Sequence, residues 1–565
     1  MAVGGLHHRI VGSLREIWSE PGARTDAEVP HRRLQHLTEA ACYWMLLEGR
    51  VDDAAIGVVL ECLDSLSRQQ DEDTGLFVVG DNVLSPPDTS FSINGLTRLA
   101  LVLRARGASG LPWDEVRRRL DNITASVAEA LRTGGVHTPN HRWEIASALA
   151  RCGAVLGDSA LTARAEQWLA EGIDIQKDGL YSERSPNYAA YVSNPSLTVL
   201  ASLLDRPALL DAVHTNLHAQ ALLTGDDATV LTLQSRRQDQ GRVFGVAPFE
   251  FGYLTTAGVF SCGLCASMAQ RCANSGGGDP VEIAAGILDG ALVEATTPAA
   301  QVVRPEGWHH LTASELALYV GEDEELVVRA ALDVAAVGRV CSGVNHEPTF
   351  ASYRREGLHI AGMRLSRAFF GLGPFRADTL ERHADRVTLT EIVSAGYYQP
   401  LGAADHRGDG SYDLEFDGRF AASMSFSRRD VDVVQLATTV TVERLPDGLR
   451  VAVACVGPAV PLSLELALGP GSVEVPGAQA TAEPELWAAL GPVEVRTHDG
   501  VAWSVEPASD SLSSAAFYEP GEAVRYARGS DAVIGPRLAV SWRSDAQLEL
   551  NIRRVGDESH PPVTW

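Results

Sequence analysis

Along the first ~290 residues, apolar side chains recur at every third or fourth position, which is the spacing of amphipathic α-helices. The pattern is clearest in segments separated by polar loops: residues 34–49, 52–69, 90–107, 141–158 and 195–223. Their similar lengths indicate helical hairpins stacked side by side, although no strict sequence repeat is visible. We therefore predict an all-α domain over residues 1–290.

Beyond this point apolar and polar residues alternate, β-branched residues are frequent and turn dipeptides separate the segments. The alternation is clearest in residues 315–321, 352–365, 386–398 and 433–457. Within the last of these, the sequence PDG at Pro446–Gly448 predicts a tight turn between two strands. We therefore predict a large antiparallel β-sandwich over residues 291–565, and an α+β multidomain fold for the chain.

Composition excludes several classes of partner. A chain of 565 residues with 45% hydrophobic and 21% charged residues is expected to form large cores. Its formal net charge of −26 argues against general binding to nucleic acid or to anionic membranes. No apolar segment has the length of a signal-peptide core or a bilayer span. We predict no nucleic-acid partner and no membrane partner, and the pattern does not set the oligomeric state.

The eight cysteines lie in segments with a core-like pattern and predict a reduced, cytoplasmic protein. Cys262 and Cys265 form a C-x-x-C pair, but no second cysteine pair stands at zinc-ligand spacing. Free cysteine behaves as a small buried hydrophobe. We therefore predict a structural role for these thiols, and neither a metal site nor a cofactor.

Three loops are unusually rich in polar and aromatic residues, and each adjoins a predicted helix end. They are residues 137–150, 178–197 and 232–242. In the first, Asn140 is predicted as the N-cap residue of a helix whose first turn holds His141, Arg142, Trp143 and Glu144. Such ends converge on one face of stacked hairpins, so we expect the three loops to form one site.

These residue types suit the removal of a proton next to a carboxylate, as in β-elimination of a uronate sugar. Asn140 and an arginine are able to hydrogen-bond the carboxylate and stabilise the extra negative charge that develops on it. A tyrosine serves as acid or base once cations lower its pKa from about 10. A histidine serves as the partner acid or base. The further candidates for substrate binding are Arg142, Glu144, Tyr191, Arg184, Arg236 and Arg237.

The sequence PNHRWE, followed about forty residues later by DG-x-Y-x-ERSPNY, resembles the heparinase II/III-like polysaccharide lyases. The resemblance implies an α/α toroid, an incomplete helical barrel, ahead of a β-sandwich. It implies Asn140 and His141 as binders of the carboxylate and Tyr188 as the proton carrier, with Tyr191 as the alternative. The implied substrate is an acidic oligosaccharide or polysaccharide.

The resemblance also implies a catalytic histidine from the first strands of the β domain, for which His346 is the candidate. The residues around His346 depart from the His-x-Asp pattern of the family. A divalent metal in the β domain is therefore allowed by the resemblance but not supported by the residues.

Two other classes remain open. A glycoside hydrolase on a helical toroid needs two carboxylates, for which Glu144, Glu183 and Asp88 are available. A non-catalytic carbohydrate-binding protein is the third reading, because a fold alone implies no activity.

Overall fold

The computed structural model describes residues 3–20, 29–78, 82–292, 304–330, 347–418, 420–469, 472–514, 523–524, 529–530 and 535–555. The chain divides into two compact units, Met1–Pro305 and Glu306–Trp565. The predicted boundary at residue 290 falls just before residues 293–303, which lie outside the described residues.

Within the described residues, the regular elements of the first unit are helices, as the apolar spacing predicts. Its helices are α1 Val3–Ser19, α2 His31–Glu48, α3 Asp53–Gln69, α4 Pro86–Ala105, α5 Trp113–Thr133, α6 Pro139–Leu156, α7 Ser159–Leu169, α8 Pro186–Tyr188, α9 Asn194–Leu203, α10 Ala208–Leu222, α11 Glu250–Phe260, α12 Gly263–Asn274 and α13 Pro280–Asp289. Residues Ala189–Ser193 form a π-helical turn that joins α8 to α9.

Local sequence signals set the ends of these helices. The side chain of Asp52 accepts hydrogen bonds from the amides of Ala54 and Ala55 and so caps α3. Gly157 adopts a left-handed conformation that ends α6. Helices that are not neighbours in sequence also pack together: α2 contacts α4, α4 contacts α6, and α6 contacts α9.

The second unit consists mainly of antiparallel strands. They are β1 Gly307–Leu311, β2 Leu316–Val320, β3 Glu324–Arg329, β4 Ala351–Arg355, β5 Leu358–Arg367, β6 Thr379–His383, β7 Arg386–Tyr398, β8 Leu414–Phe416, β9 Ala421–Ser423, β10 Val431–Leu445, β11 Gly448–Val456, β12 Pro461–Leu468, β13 Ser472–Glu474, β14 Gln479–Ala480, β15 Leu486–Ala488, β16 Val493–Thr497, β17 Ala502–Ala508, β18 Ala523–Val524, β19 Gly529–Ser530, β20 Arg537–Arg543 and β21 Leu548–Arg554.

Two large sheets hold most of these strands. Within the described residues, one has the order β1-β2-β3-β4-β5-β12-β20-β15-β14 and the other the order β13-β16-β17-β21-β11-β10-β7-β6. Pairing is antiparallel except between β15 and β20. The predicted turn at Pro446–Gly448 closes the hairpin of β10 and β11, in which Leu445 is opposite Gly448.

The two sheets share one hydrophobic core. Tyr353 and Trp542 from the first sheet lie in the same buried cluster as Val440 and Trp503 from the second. In β12 and β20, alternate residues belong to this core, namely Leu462, Leu464 and Leu466 and then Leu538, Val540 and Trp542, which is the arrangement expected of a β-sandwich. No helix among the described residues is long and apolar enough to cross a membrane.

Candidate active site

The first turn of α6 is largely buried. The helix begins at Pro139 and its N-cap is Thr138, so the prediction that Asn140 caps the helix is wrong. Proline suits the first helical position because its φ is already helical and it has no N–H to satisfy, so the cap lies two residues earlier than predicted. Asn140 is therefore inside the helix and only 1% exposed.

The amide of Asn140 contacts the second polar loop. Its Nδ2 donates a 2.6 Å hydrogen bond to Oε2 of Glu183. Its Oδ1 is buried and has no hydrogen-bond partner among the described residues. A buried polar atom without a partner is costly and calls for an explanation, such as a catalytic role or a bound water or ion. The first turn therefore presents one unsatisfied acceptor and one further N–H.

The loop that carries Glu183 is fixed by backbone and side-chain contacts. Arg184 has a φ of +53°, a conformation that favours glycine and that the loop imposes here. The hydroxyl of Ser185 accepts from the amide of Tyr188 and so caps α8. Asp239 accepts a 2.7 Å hydrogen bond from Ser185 and a 2.5 Å bond from Ser235. Asp239 thereby connects the second polar loop to the third.

Arg237, from the third loop, completes the connected group. It forms a buried ion pair with Glu183. Its guanidinium carbon lies 4.1 Å from the centroid of the Tyr188 ring. The Tyr188 hydroxyl donates a 3.2 Å hydrogen bond to Oε1 of Gln238. Asn140, Glu183, Arg237 and Tyr188 thus form one chain of contacts, which we call the polar cluster.

Burial and charge act in opposite directions on Tyr188. Burial raises the pKa of its phenol, whereas the neighbouring Arg237 guanidinium lowers it. The carboxylates of Glu183 and Asp239 add to the rise, and the net pKa lies above the ordinary value of 10.0. Tyr188 therefore carries its proton at neutral pH in the free protein.

His141 is neutral at the same pH for a different reason. It is 7% exposed, and burial together with the charge of His137 lowers its pKa to about 4. Its Nδ1 is buried without a hydrogen-bond partner among the described residues. His137 and Phe91 each present an edge-to-face ring contact to it, at 4.9 and 6.3 Å between centroids. The ring is held by packing while one nitrogen has no partner.

Two predicted substrate-binding residues of the same helix have other partners. Arg142 forms ion pairs with Glu171 at 2.9 Å and Asp174 at 3.4 Å. Its guanidinium also lies 4.5 Å from the ring centroid of Trp143, which is buried. The geometry does not support substrate binding by Arg142, because its charge is already compensated by two carboxylates.

Glu144 is buried and accepts hydrogen bonds from Asn94 at 2.7 Å and Ser196 at 3.0 Å. Burial raises the pKa of its carboxyl. Glu144 lines a cavity of about 680 Å³ together with Asn94, Ser147 and Tyr191. The polar cluster does not line this cavity.

The remaining candidates separate into two groups. Tyr191 is 56% exposed and contacts Phe244 edge-to-face at 6.3 Å. Arg184 is buried, and Arg236 donates a 3.4 Å bond to the carbonyl of Ser182, so both border the polar cluster. His346 lies outside the described residues.

Sequence reasoning missed a second group beside the first turn. Asp88 pairs with Arg32 at 3.0 Å and accepts a 2.9 Å bond from Asn82. Arg32 in turn lies 4.0 Å from the ring centroid of Phe91. The charges of Asp88 and Arg32 both act on the pKa of His141, which places them near that ring. The sequence places Asp88 in the first turn of α4, but it indicates only a candidate hydrolase carboxylate and not the contact with Arg32.

Comparison with known proteins identifies the fold. No protein-family model matches the sequence, and no curated protein matches it. Solved structures with a similar fold include several polysaccharide lyases. The alignment with heparinase III covers 95% of this chain and 79% of the heparinase III chain, with a TM-score of 0.58 and 10% identity.

Two further neighbours extend the comparison. The chondroitin AC lyase of Streptomyces coelicolor, solved with chondroitin sulphate, covers 99% of this chain and 80% of its own, with a TM-score of 0.50 and 12% identity. A xanthan lyase of Paenibacillus covers 98% and 57%, with a TM-score of 0.53 and 8% identity. The predicted resemblance is confirmed at the level of fold, which is what identities this low establish.

Proposed function

We propose that this protein is a lyase that cleaves a uronate-containing glycan by β-elimination. The observation that carries the proposal is the polar cluster, in which an amide, a buried ion pair and a phenol contact one another. The neutral His141 beside it adds a proton acceptor. The polysaccharide lyases among the structural neighbours support the same class of reaction.

Asn140 and Arg237 are proposed to bind the uronate carboxylate. One N–H of the Asn140 amide is donated to Glu183, and the other remains for a substrate oxygen. Glu183 orients this amide through the same bond and holds Arg237 through the ion pair. Donors fixed in this way stabilise the charge that develops on the carboxylate as its neighbouring carbon loses a proton. Arg184 and Arg236 are proposed to contact more distant parts of the substrate.

Tyr188 is proposed as the general acid. Its raised pKa keeps the hydroxyl protonated, so it has a proton to donate to the leaving glycosidic oxygen. Arg237 over the ring stabilises the phenolate that results.

His141 is proposed as the general base. At neutral pH it is uncharged, since its pKa is about 4 in the free protein. A bound uronate brings a negative charge close to the ring and raises this pKa, which makes the imidazole a stronger base. The resemblance assigns His141 to the carboxylate, so the base role and the binding role are alternatives that the experiments below distinguish.

The electron balance of the step is complete. The C5–H bond breaks and its proton goes to His141, while the electron pair forms the C4=C5 double bond. The C4–O bond breaks, and the leaving oxygen takes the proton of Tyr188. Solvent then returns a proton to the phenolate and accepts one from the imidazolium.

The hydrolase alternative finds less support in the geometry. Glu183 is committed to Arg237 and Asn140, and Asp88 to Arg32 and Asn82. Glu144 is the remaining carboxylate and lines the separate cavity. A hydrolase needs two carboxyl groups on either side of one bond.

We further propose that the helical unit is the incomplete toroid implied by the resemblance. The contacts of α2 with α4 and α13, of α4 with α6, and of α6 with α9 are those of an inner ring of alternate helices. The seven cysteines within the described residues are free thiols, which fits a reducing compartment.

The decisive experiment is a screen of uronate-containing glycans for a product that absorbs in the ultraviolet. A lyase creates a double bond conjugated to the carboxylate, whereas a hydrolase creates only reducing ends and a binding protein creates neither. Tyr188→Phe is the matched control, because it removes one hydroxyl and leaves the ring in place. New reducing ends without ultraviolet absorbance would establish the hydrolase instead.

A further inference from the structure

Four side chains of metal-ligating types lie close together in the helical unit, and none of them belongs to the polar cluster. His214 and His218 come from α10, Cys262 precedes α12 and Cys265 lies in its first turn. One ligand atom from each residue lies within 4.8 Å of all the others. We propose that these residues bind a structural zinc ion.

The local sequence explains how the four side chains face one point. His214 and His218 are separated by one helical turn, so both project from the same face of α10. Ser261 has a φ of +48° and ends α11, which turns the chain sharply into Cys262. The amide of Cys265 donates a 3.5 Å hydrogen bond to Sγ of Cys262, which orients that sulfur at the start of α12.

The distances match those of a tetrahedral zinc site. With Zn–S near 2.3 Å and Zn–N near 2.0–2.1 Å, neighbouring ligand atoms are about 3.3–3.8 Å apart. Nε2 of His218 lies 3.3 Å from Sγ of Cys262. The four ligand atoms lie within 4.8 Å of one another, so they need to move only a short distance to coordinate one zinc ion.

The ligand types select the ion. Two thiolates and two imidazoles in tetrahedral geometry favour zinc over magnesium or calcium, which prefer oxygen. The group contains no carboxylate ligand.

The residues around the four side chains orient them and leave one of the ring nitrogens without a partner in the described part of the chain. The His214 ring stacks on Phe260 with centroids 4.3 Å apart and planes at 4°, which fixes its orientation. Nε2 of His214 is buried and has no hydrogen-bond partner among the described residues. Cys265 is fully buried, whereas His218 is exposed and offers a path by which the ion enters.

A structural role follows from the ligand count. Four protein ligands fill a tetrahedral shell and leave no position for a substrate or a reactive water. The ion would connect α10 to the corner between α11 and α12. Helix α10 also carries Asn216, whose amide donates a 3.0 Å bond to the carbonyl of Gly179 in the loop before Glu183. The zinc site would therefore stabilise a helix that supports the polar cluster.

The test uses the full chain and measures metal directly. Elemental analysis of protein purified without chelator is expected to give about one zinc per chain. Replacing zinc with Co²⁺ is expected to give a thiolate-to-cobalt charge-transfer band and strong visible bands of tetrahedral cobalt. X-ray absorption of the unmodified protein is expected to show two sulfur and two nitrogen neighbours, so the result does not depend on any variant.

Variants locate the site. Cys262→Ser and His218→Gln are expected to lose the bound zinc and the charge-transfer band. Cys272→Ala is the matched control, because Cys272 lies on the same helix but outside the group, and it is expected to retain both. Chelation is expected to lower the melting temperature of the unmodified chain and not that of Cys262→Ser.

Three outcomes would overturn the proposal. One is protein that takes up neither zinc nor Co²⁺ while its thiols are reduced. Another is a disulfide between Cys262 and Cys265 in the protein as isolated. The third is a cobalt spectrum unchanged by Cys262→Ser with Cys265→Ser. None of these outcomes depends on lyase activity.

Discussion

Each unit of the molecule buries an arginine–glutamate pair, and the two pairs are built differently. In the β unit, Arg367 contacts Glu391 through both terminal nitrogens, and its Nε donates a 3.1 Å bond to the carbonyl of Gly373. A further 3.3 Å bond goes to the carbonyl of Pro374. This pair lies between the two sheets, on β5 and β7, and its donors are used within the fold.

In the helical unit, Arg237 contacts Glu183 through one oxygen, and the other oxygen of Glu183 accepts from Asn140. The pair is surrounded by groups with unused capacity: Oδ1 of Asn140 and Nδ1 of His141 have no partner among the described residues. A buried pair whose neighbours are satisfied holds the fold together, whereas one whose neighbours are not satisfied fits a ligand site. We therefore expect that breaking the pair in the β unit lowers stability, whereas changes around the pair in the helical unit lower turnover.

The largest effect is expected from Tyr188→Phe. The ring and its contact with Arg237 remain, but the proton for the leaving oxygen is lost, and a general acid contributes about 10²–10⁴-fold in rate. Turnover and melting temperature are measured on the same sample, and only turnover is expected to fall.

Tyr181→Phe is the matched control, because this buried phenol donates a 2.8 Å bond to Asn194 within the same loop region. It is expected to change stability and not turnover. Loss of activity in Tyr191→Phe, with normal turnover in Tyr188→Phe, would transfer the acid role to Tyr191.

Breaking the β-unit pair is expected to affect stability alone. Glu391→Leu leaves a buried guanidinium without its carboxylate, which costs about 3–5 kcal/mol in free energy of unfolding. Adding Arg367→Met is expected to restore most of that loss, because the unpaired charge is removed. Chemical denaturation measures both variants. A large fall in the turnover of folded Glu391→Leu protein would contradict the distinction between the pairs.

Asn140→Ala is expected to lower turnover by about 10²–10³-fold, the size of effect seen when one oxyanion donor is removed. Substrate binding is expected to weaken much less, since the charge on the carboxylate grows only in the transition state. Comparing kcat with KM tests this. A change confined to KM would mean that Asn140 binds substrate and transition state equally well.

Much of this arrangement was predictable from sequence because the signals are local. The helical spacing, the alternation in the β unit and the turn at Pro446–Gly448 depend on residues close together in the chain. The expectation that the loops at 137–150, 178–197 and 232–242 meet also agrees with the observed contacts among Asn140, Glu183 and Arg237.

What the sequence left unresolved depends on long-range contacts. Glu183 was considered only as a hydrolase carboxylate, because nothing in its own segment shows that Asn140 and Arg237 share it. The proposed zinc ligands are not apparent from cysteine spacing, because two of the four are histidines on a different helix. The signal that would have found them is His214-x-x-x-His218, 44 residues before Cys262.

The smallest effect is expected in the pH dependence contributed by His141. Its pKa is about 4 in the folded protein, compared with the ordinary histidine value of 6.5, which we take for the unfolded chain. Between these values the unfolded chain binds more protons, so the contribution of His141 to stability is complete above pH 6.5 and is lost as the pH falls towards 4. His141→Gln is expected to flatten the fall of melting temperature across this window. If His141 is the general base, kcat/KM is expected to fall on the acidic side of its pH profile. The midpoint of that fall is expected near pH 4, which is the pKa of His141 in the free protein. A midpoint near pH 6.5 would show instead that His141 is protonated as easily as a histidine in solvent.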